Sequence, residues 1–174
     1  SVTENGNAGY RLASEDAASH GDIGSGAIDL SIQTNTSTTT GARGVNSFAT
    51  GENTTASGEY STAMGRRTTA SEDNSTAMGY FAIASGITST AMGFATTASG
   101  NTSTAMGDAT NASGETSTAM GIASTAESFG QTTLGTYNTI QAGNATSFVT
   151  GDRLFVVGNG TSSSRSDALV ILKN

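Results

Sequence analysis

From residue 47 to residue 135, small and larger side chains alternate in short strings, each closed by glycine or a near copy of it. In Ser61-Thr62-Ala63-Met64-Gly65, Ser61, Ala63 and Gly65 fall on one side and Thr62 and Met64 on the other. Period two is the signature of a strand. The string recurs unchanged at Ser61, Ser75, Ser89, Ser103 and Ser117, a spacing of fourteen residues. Ser47-Phe48-Ala49-Thr50-Gly51 lies one period upstream and Gln131-Thr132-Thr133-Leu134-Gly135 one period downstream. A fixed short period means that one geometry repeats and each unit stacks on the last, so the chain grows as a rod.

A second string lies between the first ones. It reads Thr-Thr-Ala-Ser-Gly at 54–58 and 96–100, and in altered form at 68–72, 82–86 and 110–114. Glycine therefore returns every seven residues: Gly44, Gly51, Gly58 and Gly65, then Gly79, Gly86, Gly93, Gly100, Gly107, Gly114 and Gly121. Each period is two half-turns of one coil. Seven is also the heptad number, but a glycine per heptad costs about 1 kcal/mol each in a helix, and no Leu or Ile fills an a/d seam. A disordered Ser/Thr/Gly tract would not hold Met, Ala and Gly in register. The pattern predicts an all-β chain, a parallel β-solenoid of 14-residue coils.

The two faces have different tasks. Ser, Ala and Gly suit only a tight interior where backbones approach closely. The other face carries Met64, Met78, Met92, Met106 and Met120, with Thr50 and Leu134 at the ends of the column. Coils stacked about 4.8 Å apart make this a continuous apolar stripe. An interior of alanine and serine buries little apolar area, and an exposed methionine ladder would be adhesive. The stripe is expected to be buried against further copies of the same chain. A three-fold axis suits one apolar face; a dimer satisfies the same argument.

The pattern Ser-x-Ala-x-Gly-x-x in pairs resembles the YadA-like head of trimeric autotransporter adhesins. Asn46-Ser47-Phe48-Ala49-Thr50-Gly51 is similar to that family's Asn-Ser-Val-Ala-Ile-Gly string. The resemblance covers about 43–135. It implies a left-handed parallel β-roll, a homotrimer, and a trimer centre faced by the Thr62 and Met64 positions. The trimer interface is then Met64, Met78, Met92, Met106, Met120 and Leu134. Thr and Met stand where the family uses Val and Ile, which makes the interface more polar and more adaptable. Glu72 replaces a glycine, so either Glu72 tolerates a turn position or the turn differs there.

The ends depart from the repeat. Residues 1–42 have no fourteen-residue register and read as an N-terminal cap region, with Ile28, Leu30 and Ile32 on one face of a short strand that blunts the exposed edge. Residues 34–40 read as a polar loop. Residues 43–135 are the β-roll repeats. Residues 136–174 read as a degenerate coil and a C-terminal β-strand pair. There, Ser147-Phe148-Val149-Thr150-Gly151 lies sixteen residues after its counterpart, as though two residues were inserted. Leu154-Phe155-Val156-Val157 and the apolar run 168–172 flank a Gly/Asn/Ser-rich loop as a hairpin or neighbouring strands. The stretch 154–174 resembles the segment preceding the intramolecular chaperone of phage tail fibres. That likeness implies that a trimerising chaperone once followed Asn174.

Composition removes several functions. The 174 residues include no Pro, Cys or Trp, 23 Gly, and a net charge of −7. Without cysteine there is no disulfide and no thiolate metal site. An acidic chain lacking a basic patch is a poor nucleic-acid binder. No run of eighteen apolar residues suggests a membrane span, and no hydrophobic export signal is evident. His20 is the only histidine and reads as a surface residue in a polar loop; Ser19 and Asp22 beside it in sequence supply no triad geometry. Glu59, Asp73 and Glu115 recur at one coil position, but without an Asp-x-Asp ligand loop they read as solvated charge. No cofactor and no metal are expected, and the chain is read as a non-enzyme.

The leading expectation is a structural, adhesive trimeric fibre segment, extracellular on a bacterial surface or on a virion tail fibre, binding a host, cell-surface or matrix ligand. Candidate surface contacts follow each Met-Gly: Arg66, Arg67, Tyr80, Phe81, Phe94, Asp108 and Ile122. Packing over the coil edge or between chains is the alternative for these side chains. An ice- or crystal-binding solenoid using Thr55/Ser57, Thr69/Ser71 and Thr97/Ser99, a pure spacer stalk, and a polysaccharide-cleaving enzyme are the competing readings. The last needs paired carboxylates in one cleft, and the acids here are scattered.

Overall fold

The structure, a computed structural model, describes residues 1–12, 19–34 and 37–174. In chain order the strands begin with β1 (Val2–Glu4), β2 (Asn7–Arg11), β3 (Ile28–Ile32), β4 (Gly41–Ala42), β5 (Phe48–Glu52) and β6 (Thr55–Ala56). The repeats follow as β7 (Thr62–Arg66), β8 (Thr69–Ala70), β9 (Thr76–Tyr80), β10 (Ile83–Ala84), β11 (Thr90–Phe94) and β12 (Thr97–Ala98). Then come β13 (Thr104–Asp108), β14 (Asn111–Ala112), β15 (Thr118–Ile122), β16 (Thr125–Ala126), β17 (Thr132–Thr136), β18 (Arg153–Asn159) and β19 (Asp167–Leu172).

These strands form a parallel β-solenoid of about 8 turns with coils about 14 residues apart. The five-residue strands build a 12-stranded sheet in the order β1-β2-β3-β5-β7-β9-β11-β13-β15-β17-β18-β19. The two-residue strands build a 7-stranded sheet, β16-β14-β12-β10-β8-β6-β4. Identical strings lie in register: Thr90, Ala91, Met92 and Gly93 pair with Thr104, Ala105, Met106 and Gly107. Among the described strands, the end pairs β1/β2 and β18/β19 are antiparallel and the rest parallel.

The interior is the one the alternation predicts. Ala49, Ala63, Ala77, Ala91, Ala105 and Ala119 line it from the long sheet, and Ala56, Ala70, Ala84, Ala98, Ala112 and Ala126 from the short one, all fully buried. Ser61, Ser75, Ser89, Ser103 and Ser117 are buried beside them, as are Thr54, Thr68, Thr96 and Thr110. So thin a core supplies little hydrophobic stabilisation, and the ladders of backbone hydrogen bonds between coils carry the architecture.

The half-turns are built differently from the sequence expectation. Left-handed residues recur every seven positions, but most are not glycine: Tyr60, Arg67, Asn74, Phe81, Thr88, Ala95 and Thr102 all have φ between 51° and 58°. Each amide is spoken for. Arg67 N–H donates to the Glu52 carbonyl at 2.8 Å, Phe81 N–H to Arg66 at 3.0 Å, and Thr88 N–H to Asp73 at 2.9 Å. The glycines serve close approach, and Gly51, Gly65, Gly79, Gly93, Gly107 and Gly121 also hold φ between 113° and 127°. At Gly100 an added Cβ would lie 2.1 Å from the Gly114 carbonyl oxygen. Glu72, at the same coil position, has no positive φ. Its carbonyl accepts the Ser75 N–H at 3.2 Å as Gly58 accepts Ser61, so the turn there keeps its form.

Both ends show departures. β3 alternates as expected, but Ile28, Leu30 and Ile32 point outward while Asp29 and Ser31 are buried. Asp29 pairs in register with Ala49 and so occupies an alanine slot. Part of the stretch 34–40, expected as a loop, lies outside the described residues. At the far end, the string at 147–151 adds no strand and is exposed. The rung after β17 comes from β18, where Thr132 pairs with Phe155 and Thr133 with Val156. The expected pair of C-terminal strands is present, with β19 antiparallel to β18. Asn138 closes the short sheet: its side-chain amide accepts from Thr125 N–H at 2.7 Å and donates to the Thr125 carbonyl at 3.0 Å, standing in for a further strand.

Candidate binding surface

The outward face of the long sheet carries two columns. In the first, Leu30, Thr50 and Met64 are followed by Met78, Met92, Met106, Met120 and Leu134 at one register position. Val157 and Leu169 continue it through β18 and β19. The second runs Ile28, Phe48, Thr62, Thr76, Thr90, Thr104, Thr118 and Thr132, then Phe155 and Ile171. The methionines shield one another along the ladder and are half-buried, Met106 being the most open at 36%. Leu169 and Ile171 on β19 are each 46% exposed. Sequence reasoning found the methionine column and missed its apolar ends, because 28–32 and 154–172 lie outside the fourteen-residue period. Their own alternation was the available signal.

The residues after each Met-Gly form a separate ridge at the strand ends. Glu52, Arg66, Tyr80, Phe94, Asp108 and Ile122 share one register position. Arg67 and Phe81 stand next to them in the left-handed turn. The structure brings five of the seven candidates together. Tyr80 and Phe81 ring centroids are 4.4 Å apart and Tyr80 and Phe94 5.5 Å apart, tilted by 49° and 41°. Arg66 Cζ lies 5.3 Å above the Tyr80 ring, and Arg67 Cζ 5.3 Å above Phe81. Arg66 Nε also pairs with Glu52 Oε2 at 3.0 Å. Asp108 and Ile122 continue the column toward the C-terminus, beyond the ring contacts.

His20 is not the surface residue that the sequence suggested. It is 4% exposed, and its Nδ1 lies 3.1 Å from Asp29 Oδ2. Arg11 approaches the same oxygen at 3.4 Å and pairs with Glu4 at 2.6 Å; Glu4 in turn accepts the Ile23 N–H at 2.8 Å. This cluster occupies the coil end, with Asp29 at the register position that alanine holds in the next coil. Beside it lies a cavity of about 290 Å³ lined by Asn7, His20, Gly21, Asp22, Thr38 and Arg43. A second buried pair, Arg153 Nη2 and Asp167 Oδ2 at 3.2 Å, ties segment 139–141 to the C-terminal strands, since Arg153 also donates to the Thr139 carbonyl and to Gln141. The acidic column is more than solvated charge: Asp73 Oδ1 accepts the Glu59 N–H at 2.9 Å, and Asn101 Oδ1 the Ile87 N–H at 3.1 Å. Each caps the coil before it. Among the described residues no cluster of three His, Cys, Asp or Glu could hold a metal ion, and no helix is long and apolar enough to cross a membrane.

Stacked short coils, an alanine interior and a ladder of identical outward side chains define the chain as a repeat β-solenoid of the fibre-forming kind. Its repeats are those of the YadA head domain: residues 42–68, 56–82, 84–110 and 112–128 match the YadA head domain repeat (2 copies). Over 42–128 the chain is thus similar to the head repeats of that family. No curated protein matches the chain.

Proposed function

We propose that the chain is a segment of a homotrimeric adhesive fibre on a bacterial surface, with a virion tail fibre as the alternative setting. The observation that carries the reading is the ten-rung outward stripe from Leu30 to Leu169, which a single chain leaves half open. Three chains set side by side bury it, with Met64, Met78, Met92, Met106, Met120 and Leu134 at the interface. The side chains are already half-buried, so completing the burial of each contributes about 1 kcal/mol, and the whole column acts together against the entropy lost on association. The ridge at the strand ends and the turn beside them then faces outward to a host, cell-surface or matrix ligand, and no cofactor takes part.

Sedimentation tests this. The native protein is expected at three times its 17.3 kDa chain mass. Met92→Lys places three unpaired ammonium groups around one axis and is expected to sediment as single chains. A native protein of one chain's mass, or an intact Met92→Lys trimer, overturns the reading. The ice-binding alternative has weaker support: the row Thr55, Thr69, Ile83, Thr97, Asn111, Thr125 is in register but twice interrupted, and Thr125 is covered. Thermal hysteresis would be its check.

A further inference from the structure

Resting on the adhesive reading above, we infer that the cluster of Arg66, Arg67, Tyr80, Phe81 and Phe94 binds an acidic polysaccharide. The arginines take its carboxylates and the aromatic rings take the apolar faces of its sugar rings.

Three observations lead there. Two of the rings are open: Phe94 is 49% and Phe81 39% exposed, at a strand end and in a turn beside the strands. Arg67 makes no ion pair among the described residues, and Arg66 shares its one carboxylate, Glu52, with solvent at 50% side-chain exposure. One guanidinium therefore has no carboxylate partner among the described residues, and the other is half-exposed beside its partner, on a chain whose net charge is −7. Lastly, the cluster is a ridge and not a groove. It has no walls to enclose a peptide side chain or a small molecule, but coils about 4.8 Å apart present a ring at successive steps along the rod.

A linear polymer of uronic acids matches each part. The C–H face of a pyranose ring carries slight positive charge and settles on the negative face of an aromatic ring. Its carboxylate fits the two-pronged donor edge of a guanidinium. The rings already hold both guanidinium groups in place, so little side-chain entropy is lost on binding. Glu52 on one side and Asp108 on the other would repel the same polymer, which limits the footprint to about three coils.

The test measures retention of the full chain on beads bearing polygalacturonate, neutral dextran or poly-glutamate. Retention is expected on polygalacturonate alone, falling as salt rises. Arg67→Ala should weaken it about tenfold, and Arg67→Lys should restore only part, since an ammonium is a point charge. Phe81→Ala, which leaves the charge unchanged, should weaken it by a similar factor. Equal retention on poly-glutamate overturns the proposal in favour of an acidic peptide. Unchanged retention of the variants, or an altered sedimentation of Arg67→Ala or Phe81→Ala that marks the cluster as a contact between chains, also overturns it. Native protein that adheres to cells but ignores polygalacturonate defeats this inference and leaves the adhesive reading standing; adherence to neither defeats both.

Discussion

Gly93→Ala should dismantle the coil around it, while Gly130→Ala should hardly be felt. Gly93 is the penultimate residue of β11, with φ +127°, between Gly79 and Gly107 in the same ladder. A Cβ there would lie 2.0 Å from the Gly107 carbonyl oxygen, against backbone that no rotamer change can move aside. Relief requires a shift of more than about 1 Å between two coils held by short hydrogen bonds. Ala95 N–H to Tyr80 and Ala109 N–H to Phe94, both 2.8 Å, flank the clash. Backbone strain of about 1–3 kcal/mol and two weakened hydrogen bonds of about 1 kcal/mol each give a loss of about 3–5 kcal/mol. At Gly130, φ is +64° and the nearest atom to a Cβ is Thr116 Oγ1 at 3.7 Å. Thr88, Thr102 and Thr116 already adopt that conformation in the matching turns, as Ala95, Ala109 and Ala123 do in the other half-turn, so the cost there is about 1 kcal/mol. Urea unfolding of the two variants at one protein concentration measures the difference, which must be held fixed because association adds to apparent stability. Variants within about 1 kcal/mol of each other would refute the claim that glycine spacing serves the approach of neighbouring coils.

Two further outcomes test the interior and the turns. Thr96 is fully buried with no partner for its hydroxyl, and Ala82 fills the same column one coil away. Thr96→Val should therefore raise stability by about 1 kcal/mol, seen as a higher urea midpoint. Thr102 is β-branched at φ +54°, where Asn74 and Asn46 hold equivalent turns. Thr102→Asn should add about 0.5–1 kcal/mol in the same assay, since asparagine tolerates the left-handed region.

The repeat was legible because its causes are local. Ser61-Thr62-Ala63-Met64-Gly65 states a strand, an inner face and an outer face within five residues, and its recurrence states the register. The same logic places Arg66, Tyr80 and Phe94 one above another before any coordinates are known. Their ring contacts, and the approach of Arg67 to Phe81, depend on side-chain directions at a left-handed turn, which spacing does not specify.

Coil period, all-β architecture and the two faces were thus settled by the order of residues alone, because alternation and glycine spacing act over a few bonds and then repeat. Tertiary structure decided what has no period. It seated Asp29 in an alanine slot and drew His20 and Arg11 onto it. It passed over the string at 147–151 and took β18 as the next rung. It also showed what the glycines approach, a carbonyl fourteen residues away. Each of these choices pairs residues distant in the chain, and only stacking the coils brings such partners within reach.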